Sequence, residues 1–182
     1  MGSEMCIRDR PHTNCLTLRL LHTAKGYKAV TFDIFDTLLK RDCARPADLF
    51  ALMEVTHQAA LGFAEARVAA EAETRQTLGR EVTLAEIYAH PALRGTDPTA
   101  ECAAELAMIA PNRPVAQAAA ACHARGQKVY AVSDMYLPKE QIEAMLQKCG
   151  LDFLDGVFVS CEYRVQTVSY THLRAHETLR HL

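Results

Sequence analysis

The sequence lacks three features that would each assign it to a class of protein. No apolar run approaches the ~20 residues needed to span a bilayer. The net charge is small, because 20 Lys and Arg nearly balance 22 Asp and Glu. The seven cysteines are odd in number and form no CxxC pair, which argues against a disulfide framework or a zinc ribbon. We therefore expect a protein of the reducing cytoplasm, with neither nucleic acid nor a membrane as partner.

The two ends of the chain differ from the rest. Residues 5–10 (MCIRDR) and 168–178 (VSYTHLRAHET) resemble strings that recur at the edges of translated metagenomic assemblies. We therefore expect residues 1–10 and 168–182 to be non-native, and we interpret residues 11–167.

Three short runs rich in β-branched and aromatic residues predict buried strands, at residues 27–32, 128–132 and 156–160. Between the last two lies a predicted helix over residues 138–149, with Pro at its start and Gly150 placed to end it. A strand, a helix and a strand within so short a stretch predict a βαβ unit with parallel strands.

The stretch from residue 46 to 110 has helical spacing throughout. Thr83 followed three residues later by Glu86 predicts a capping box at the start of one of these helices. The last helix of the block is predicted over residues 98–110, and a further helix follows with Pro114 in its first turn.

The first predicted strand is followed by Asp33, Asp36 and Thr37. In an open parallel sheet, ligands bind beyond the carboxyl ends of the strands, so these side chains lie where chemistry is usually done. A carboxylate there can serve as a nucleophile that divides one difficult displacement into two easier steps. The alternative is that both aspartates only cap the turn.

The second predicted strand also ends in a hydroxyl residue, Ser133, shortly before the helix that begins at Pro138. A hydroxyl and the backbone N–H groups after it form the kind of pocket in which proteins hold a phosphate. Together with Asp33 on the other strand, Ser133 predicts an anion site beside a nucleophile.

The motifs FDIFDTLL (residues 32–39) and SDMYLP (residues 133–138) resemble those of the haloacid dehalogenase-like (HAD) hydrolase superfamily. The resemblance covers about residues 28–162. It implies an α/β fold: a HAD-like Rossmann-type parallel sheet core, incomplete here, with a helical cap inserted after the first strand. The two domains that it implies are a core of residues 11–40 and 112–167 and a cap of residues 41–111.

The resemblance also implies roles for residues of the site. Asp33 matches the family's nucleophile, Thr37 its motif-one threonine and Ser133 its phosphate-binding hydroxyl, while Asp33 and the Phe35 carbonyl match the positions that coordinate Mg²⁺. These matches imply a magnesium-dependent phosphatase that acts on a small phosphorylated substrate through an aspartyl-phosphate on Asp33.

The chain departs from the phosphatase pattern beside the nucleophile. The family's phosphatases usually place a second Asp, the acid that protonates the leaving group, where this chain has Phe35. Asp36 lies one residue further on and replaces that acid only if the loop is distorted. An aromatic residue at this position also occurs in haloacid dehalogenases, which need neither the acid nor magnesium. A dehalogenase-type hydrolase is therefore an alternative.

A second departure lies downstream. The family places a Lys shortly after the third strand and an acidic pair further on, and neither can be assigned before residue 168. Arg164 is a candidate replacement for the Lys, although a solvated arginine is the simpler interpretation. We therefore expect a C-terminally truncated chain, and a non-catalytic remnant is the third hypothesis.

Three arginines of the predicted cap, Arg41, Arg45 and Arg67, are within the segment that could close over a substrate anion. Arginines are mostly solvated, and Arg67 falls on an otherwise polar helix face. We therefore expect all three to lie in solvent.

Overall fold

A computed structural model describes residues 15–163 of the chain. Within this range the backbone forms a parallel sheet flanked by helices and a second, mostly helical layer that is joined to it by a two-stranded ribbon. The elements in chain order are α1 (Cys15–Thr23), β1 (Ala29–Asp33), β2 (Leu39–Arg41), α2 (Asp48–Val55), α3 (Phe63–Leu78), α4 (Leu84–Tyr88), a 3-10 turn (Pro91–Leu93), α5 (Pro98–Met108), β3 (Ile109–Pro111), α6 (Arg113–Ala124), β4 (Lys128–Ser133), α7 (Lys139–Lys148), β5 (Gly156–Val159) and α8 (Ser160–Tyr163).

The main sheet has the strand order β1-β4-β5, and both pairs are parallel. Val129 and Ala131 of the central strand are fully buried, as expected for a parallel sheet covered by helices. In the register of the sheet Asp33 lies opposite Val132, and Ser133 lies opposite Val159. The parallel arrangement predicted from the sequence is confirmed, and it brings the carboxyl ends of the strands to one edge.

The antiparallel ribbon of β2 and β3 begins and ends the helical insert. Leu39 pairs with Pro111 and Arg41 with Ile109, so the chain enters and leaves the insert at adjacent points. Helices α2 to α5 all lie between these two strands, within the range proposed for the cap. The ends proposed as non-native, residues 1–10 and 168–182, lie outside the described residues.

Local predictions hold at several helix ends. The Thr83 hydroxyl accepts the Glu86 N–H, and the Glu86 carboxylate accepts the Thr83 N–H at 2.9 Å, which completes the predicted capping box. Gly150 follows α7 with a φ of 71°, in the left-handed region that favours glycine. None of the helices among residues 15–163 has the length and apolarity of a membrane span.

One predicted boundary is wrong. The helix expected over residues 98–110 ends at Met108, and Ile109 and Ala110 belong to β3 instead. Ile109 is buried and pairs with Arg41, so the pairing across the ribbon overrides the local helical pattern.

Candidate active site

Asp33 is the last residue of β1 and stands at the edge where the parallel strands end. The loop after it folds back at once, because the Leu38 N–H donates to the Asp33 carbonyl at 3.3 Å. This turn brings Thr37 next to the Asp33 carboxylate, and the Thr37 hydroxyl donates to Asp33 Oδ2 at 3.0 Å. A hydrogen bond of this kind holds the Asp33 carboxylate in one orientation.

Asp33 keeps an exposed surface, but its partial burial raises the pKa of its carboxyl above the ordinary value. The hydrogen bond from Thr37 opposes this rise, whereas the negative charges of Asp134 and Asp36 add to it. Two further carboxylates therefore lie within electrostatic reach of Asp33 at the end of β1. Such a site favours a ligand that neutralises Asp33, whether by covalent attachment or by positive charge.

Ser133 ends β4, the strand beside β1. The residue is only 2% exposed, and its Oγ has no hydrogen-bond partner within the part of the chain that the structure describes. Because a buried hydroxyl without a partner is costly, such a group is typical of a site that an external acceptor completes. Ser133 lies on the strand next to that of Asp33, and the anion pocket there stays a prediction.

A second hydroxyl of the same kind was missed in the sequence. Ser160 follows β5 directly, is 3% exposed, and its Oγ also has no partner within residues 15–163. Since Ser133 pairs with Val159 in the sheet, the two serines lie at the ends of neighbouring strands. The position of Ser160 at the end of a predicted strand was the available clue.

The loop after Asp33 contains Phe35 and Asp36, the two residues at which the sequence departs from the phosphatase pattern. Phe35 is half-buried, and the Arg41 guanidinium carbon lies 4.2 Å from the centre of its ring. Asp36 is exposed and has a φ of 57°, a left-handed conformation that Asp tolerates better than most residues. The role of Asp36 as the acid stays a prediction.

The expectation that the cap arginines are solvated is correct only for Arg45, whose side chain is 80% exposed. Arg67 is fully buried, and its Nε and Nη2 donate to Glu101 at 2.7 and 2.9 Å. Arg41 is almost buried and donates in the same way to Glu105. The expectation fails because both arginines have a buried carboxylate partner on α5, far away in the sequence.

The residues predicted to hold Mg²⁺ are Asp33, through its carboxylate, and Phe35, through its backbone carbonyl. Mg²⁺ needs about six oxygen ligands in near-octahedral geometry. Residues 15–163 contain no group of three Asp, Glu, His or Cys side chains placed to bind a metal ion. Mg²⁺ usually keeps several waters and takes only one or two carboxylates from the protein, so Asp33 and the Phe35 carbonyl as its ligands stay a prediction. Arg164 lies outside the described residues.

No protein-family model and no curated protein matches the chain. Its fold is similar to solved dehalogenases. One is the L-2-haloacid dehalogenase from Xanthobacter autotrophicus with chloropropionic acid covalently bound, at 20% identity and a TM-score of 0.47, covering 84% of this chain. This chain spans 65% of the length of that enzyme.

Another structure, described as a dehalogenase, matches 83% of this chain and 71% of its own length, at 15% identity and a TM-score of 0.50. Identities this low carry information about architecture and not about substrate. Together with the parallel sheet and the helical insert, the likeness shows that this chain has the α/β fold of the haloacid dehalogenase-like hydrolases.

Proposed function

We propose that the chain is a hydrolase of dehalogenase type, in which Asp33 displaces a halide from the carbon of a small carboxylate substrate. The observation behind this proposal is the loop beside Asp33. Phe35 occupies the place of a leaving-group acid, and it is covered by the Arg41 guanidinium. A halide departs without a proton, whereas the alkoxide of a phosphate ester is a poor leaving group unless an acid protonates it.

In the first step a carboxylate oxygen of Asp33 attacks the carbon that carries the halogen. The carbon–halogen bond breaks, and the halide leaves with the bonding electrons while an ester forms on Asp33. Thr37, which donates to Asp33 Oδ2, holds the carboxylate for this attack. In this step the Ser133 hydroxyl donates a hydrogen bond to the substrate carboxylate, a role supported by its lack of a hydrogen-bond partner among residues 15–163.

In the second step water adds to the carbonyl carbon of the ester. The bond between this carbon and the ester oxygen breaks, and that oxygen, which came from Asp33, stays on the substrate carbon. The departing alkoxide takes up the proton that the attacking water lost and is released as the hydroxy acid, and the Asp33 carboxylate is restored with one oxygen from water. The attacking water loses a proton to a base. Asp36 and Asp134, whose charges act on Asp33, are the carboxylates that can serve as this base. The products of a full cycle are the hydroxy acid, the halide and one proton.

A magnesium-dependent phosphatase acting on a small phosphorylated substrate is the second candidate. The observation in its favour is the group of carboxylates around Asp33, whose mutual repulsion a divalent cation would relieve. In this candidate Asp33 and the Phe35 carbonyl would hold the ion, and water and the substrate phosphate would supply its remaining oxygen ligands. In both candidates Asp33 is the nucleophile.

A substrate comparison decides between the hypotheses. The 182-residue protein is incubated with 2-chloropropionate, with and without a chelator, and separately with an aryl phosphate and Mg²⁺. We expect chloride release that the chelator leaves unchanged. Phosphate release that requires Mg²⁺, without chloride release, would contradict the proposal and favour the phosphatase. A folded protein that turns over neither substrate would favour the non-catalytic hypothesis.

A further inference from the structure

Helix α5 contains two buried carboxylates that each bind one arginine through two hydrogen bonds. Glu101 and Glu105 lie one turn apart and are both at most 1% exposed. Glu101 accepts from Arg67, and Glu105 accepts from Arg41 Nε at 2.9 Å and Nη2 at 3.1 Å. Such forked pairs fix the plane of the guanidinium as well as its position.

Each of these arginines also lies over an aromatic ring of one site loop. Arg41 covers Phe35, two residues after Asp33, at 4.2 Å from the ring centre. Arg67 lies 4.7 Å from the ring centre of Tyr136, three residues after Ser133. A guanidinium over an aromatic face is attractive, and more so when water is excluded.

Two chains of contacts therefore lead from one cap helix to the two loops of the site. We call Glu105, Arg41 and Phe35 the Arg41 link. Glu101, Arg67 and Tyr136 form the Arg67 link.

The Arg67 link has further support. The Leu84 N–H at the start of α4 donates to the Tyr136 carbonyl at 2.8 Å, so a second cap helix holds the same loop. The Tyr88 hydroxyl donates to Glu101 at 2.8 Å, and Arg67 also lies over the Phe50 ring at 4.8 Å. Buried networks of hydrogen bonds favour one arrangement of the elements that they join.

We infer that α5 is a positioning element for both halves of the site, with Arg41 setting the loop of Asp33 and Arg67 setting the loop of Ser133. This inference rests on the proposed function for its kinetic consequences. None of the link residues needs to contact substrate. The two links act on different groups: the Arg41 link on the nucleophile, and the Arg67 link on the hydroxyl that holds the anion.

The Arg41 link is tested with Arg41→Lys, which retains the charge and loses the fork. We expect kcat to fall by at least ~10-fold, since a misplacement of about 1 Å costs on the order of 10²-fold. KM should change by less than about twofold, because Arg41 does not bind substrate in this account. The matched control is Arg45→Lys, in a cap arginine whose ion pair with Asp48 is exposed. It should leave both constants unchanged.

The Arg67 link is tested through the ring of Tyr136. Tyr136→Leu removes the ring, and we expect KM to rise by at least ~10-fold as the Ser133 loop loses its position. Tyr136→Phe retains the ring and should restore most of the wild-type affinity. If Tyr136→Phe is as impaired as Tyr136→Leu, the ring is not the positioning contact and the Arg67 link is wrong.

Hydrogen exchange provides a readout that does not need activity. The Leu38 and Leu39 N–H groups donate to the Asp33 and Ile34 carbonyls, so their exchange reports on the loop itself. We expect faster exchange at these amides in folded Arg41→Lys and no change in Arg45→Lys.

The outcomes separate the two proposals. Unchanged loop exchange and unchanged kcat in folded Arg41→Lys would overturn the positioning role, as would an equal loss of kcat in Arg45→Lys. A wild-type protein without turnover would refute the proposed function alone, since loop exchange would still test the Arg41 link.

Discussion

Replacement of Asp33 by Asn is expected to lower kcat/KM for halide release by on the order of 10³-fold or more. The amide is not a nucleophile, so no ester forms and both steps of the proposed cycle are lost. The substitution preserves the shape of the side chain and leaves an oxygen that can accept the hydrogen bond from Thr37. The loss should therefore appear in turnover and not in folding, which thermal unfolding of the two proteins checks.

Asp152→Asn is the matched control for this substitution. Asp152 is an exposed aspartate that precedes β5 and so lies toward the opposite end of the strands from Asp33. It should retain full activity. If Asp33→Asn keeps more than about a tenth of the wild-type kcat/KM, Asp33 is not the nucleophile.

The largest expected effect on stability comes from Glu101. Glu101→Ala should lower the free energy of unfolding by about 3–5 kcal/mol, because it leaves the Arg67 charge buried without its forked partner. Glu71, which accepts from Arg67 Nη1 at 3.0 Å, remains as a partner, but its side chain is partly exposed. Urea unfolding of the wild type and the variant measures the difference.

A double variant shows whether the loss comes from the unpaired charge. Arg67→Met combined with Glu101→Leu removes both charges and fills similar space, so it should cost less than Glu101→Ala alone. Arg45→Ala, which breaks an exposed ion pair, should leave the unfolding midpoint nearly unchanged. A loss below about 1 kcal/mol for Glu101→Ala would show that the network contributes little to the fold.

The meeting of Asp33 and Ser133 at one edge was predictable from the sequence. Two apolar runs, each ending in a polar residue, predict parallel strands when helices separate them, and parallel strands end on the same side. The sheet register bears this out, with Asp33 and Ser133 at the ends of adjacent strands. The capping box at Thr83 was predictable for a different reason, because it depends only on residues three apart.

The burial of Arg41 and Arg67 was not predictable from local pattern. Their partners, Glu105 and Glu101, lie 64 and 34 residues away, and only the packing of α5 against its neighbours brings them together. The sequence of α3, the helix that contains Arg67, has only a weak apolar face. Its pattern therefore does not distinguish a buried arginine from a solvated one. The available clue was a pair of glutamates one turn apart on α5, in a helix that is otherwise rich in alanine.

The boundary between α5 and β3 was missed for a related reason. Met108, Ile109 and Ala110 continue a helical pattern, and nothing local marks the change to strand. The change follows from pairing with β2, about 70 residues earlier in the chain.

The most direct test of the account follows oxygen atoms through one turnover. Excess protein is mixed with 2-chloropropionate in water enriched in oxygen-18, and the peptide containing Asp33 and the product are then weighed by mass spectrometry. If an ester on Asp33 is hydrolysed at its carbonyl carbon, the heavy oxygen enters the Asp33 carboxylate and the hydroxy acid contains none. Heavy oxygen in the hydroxy acid, with none in Asp33, would mean that water attacks the substrate directly and would contradict the account.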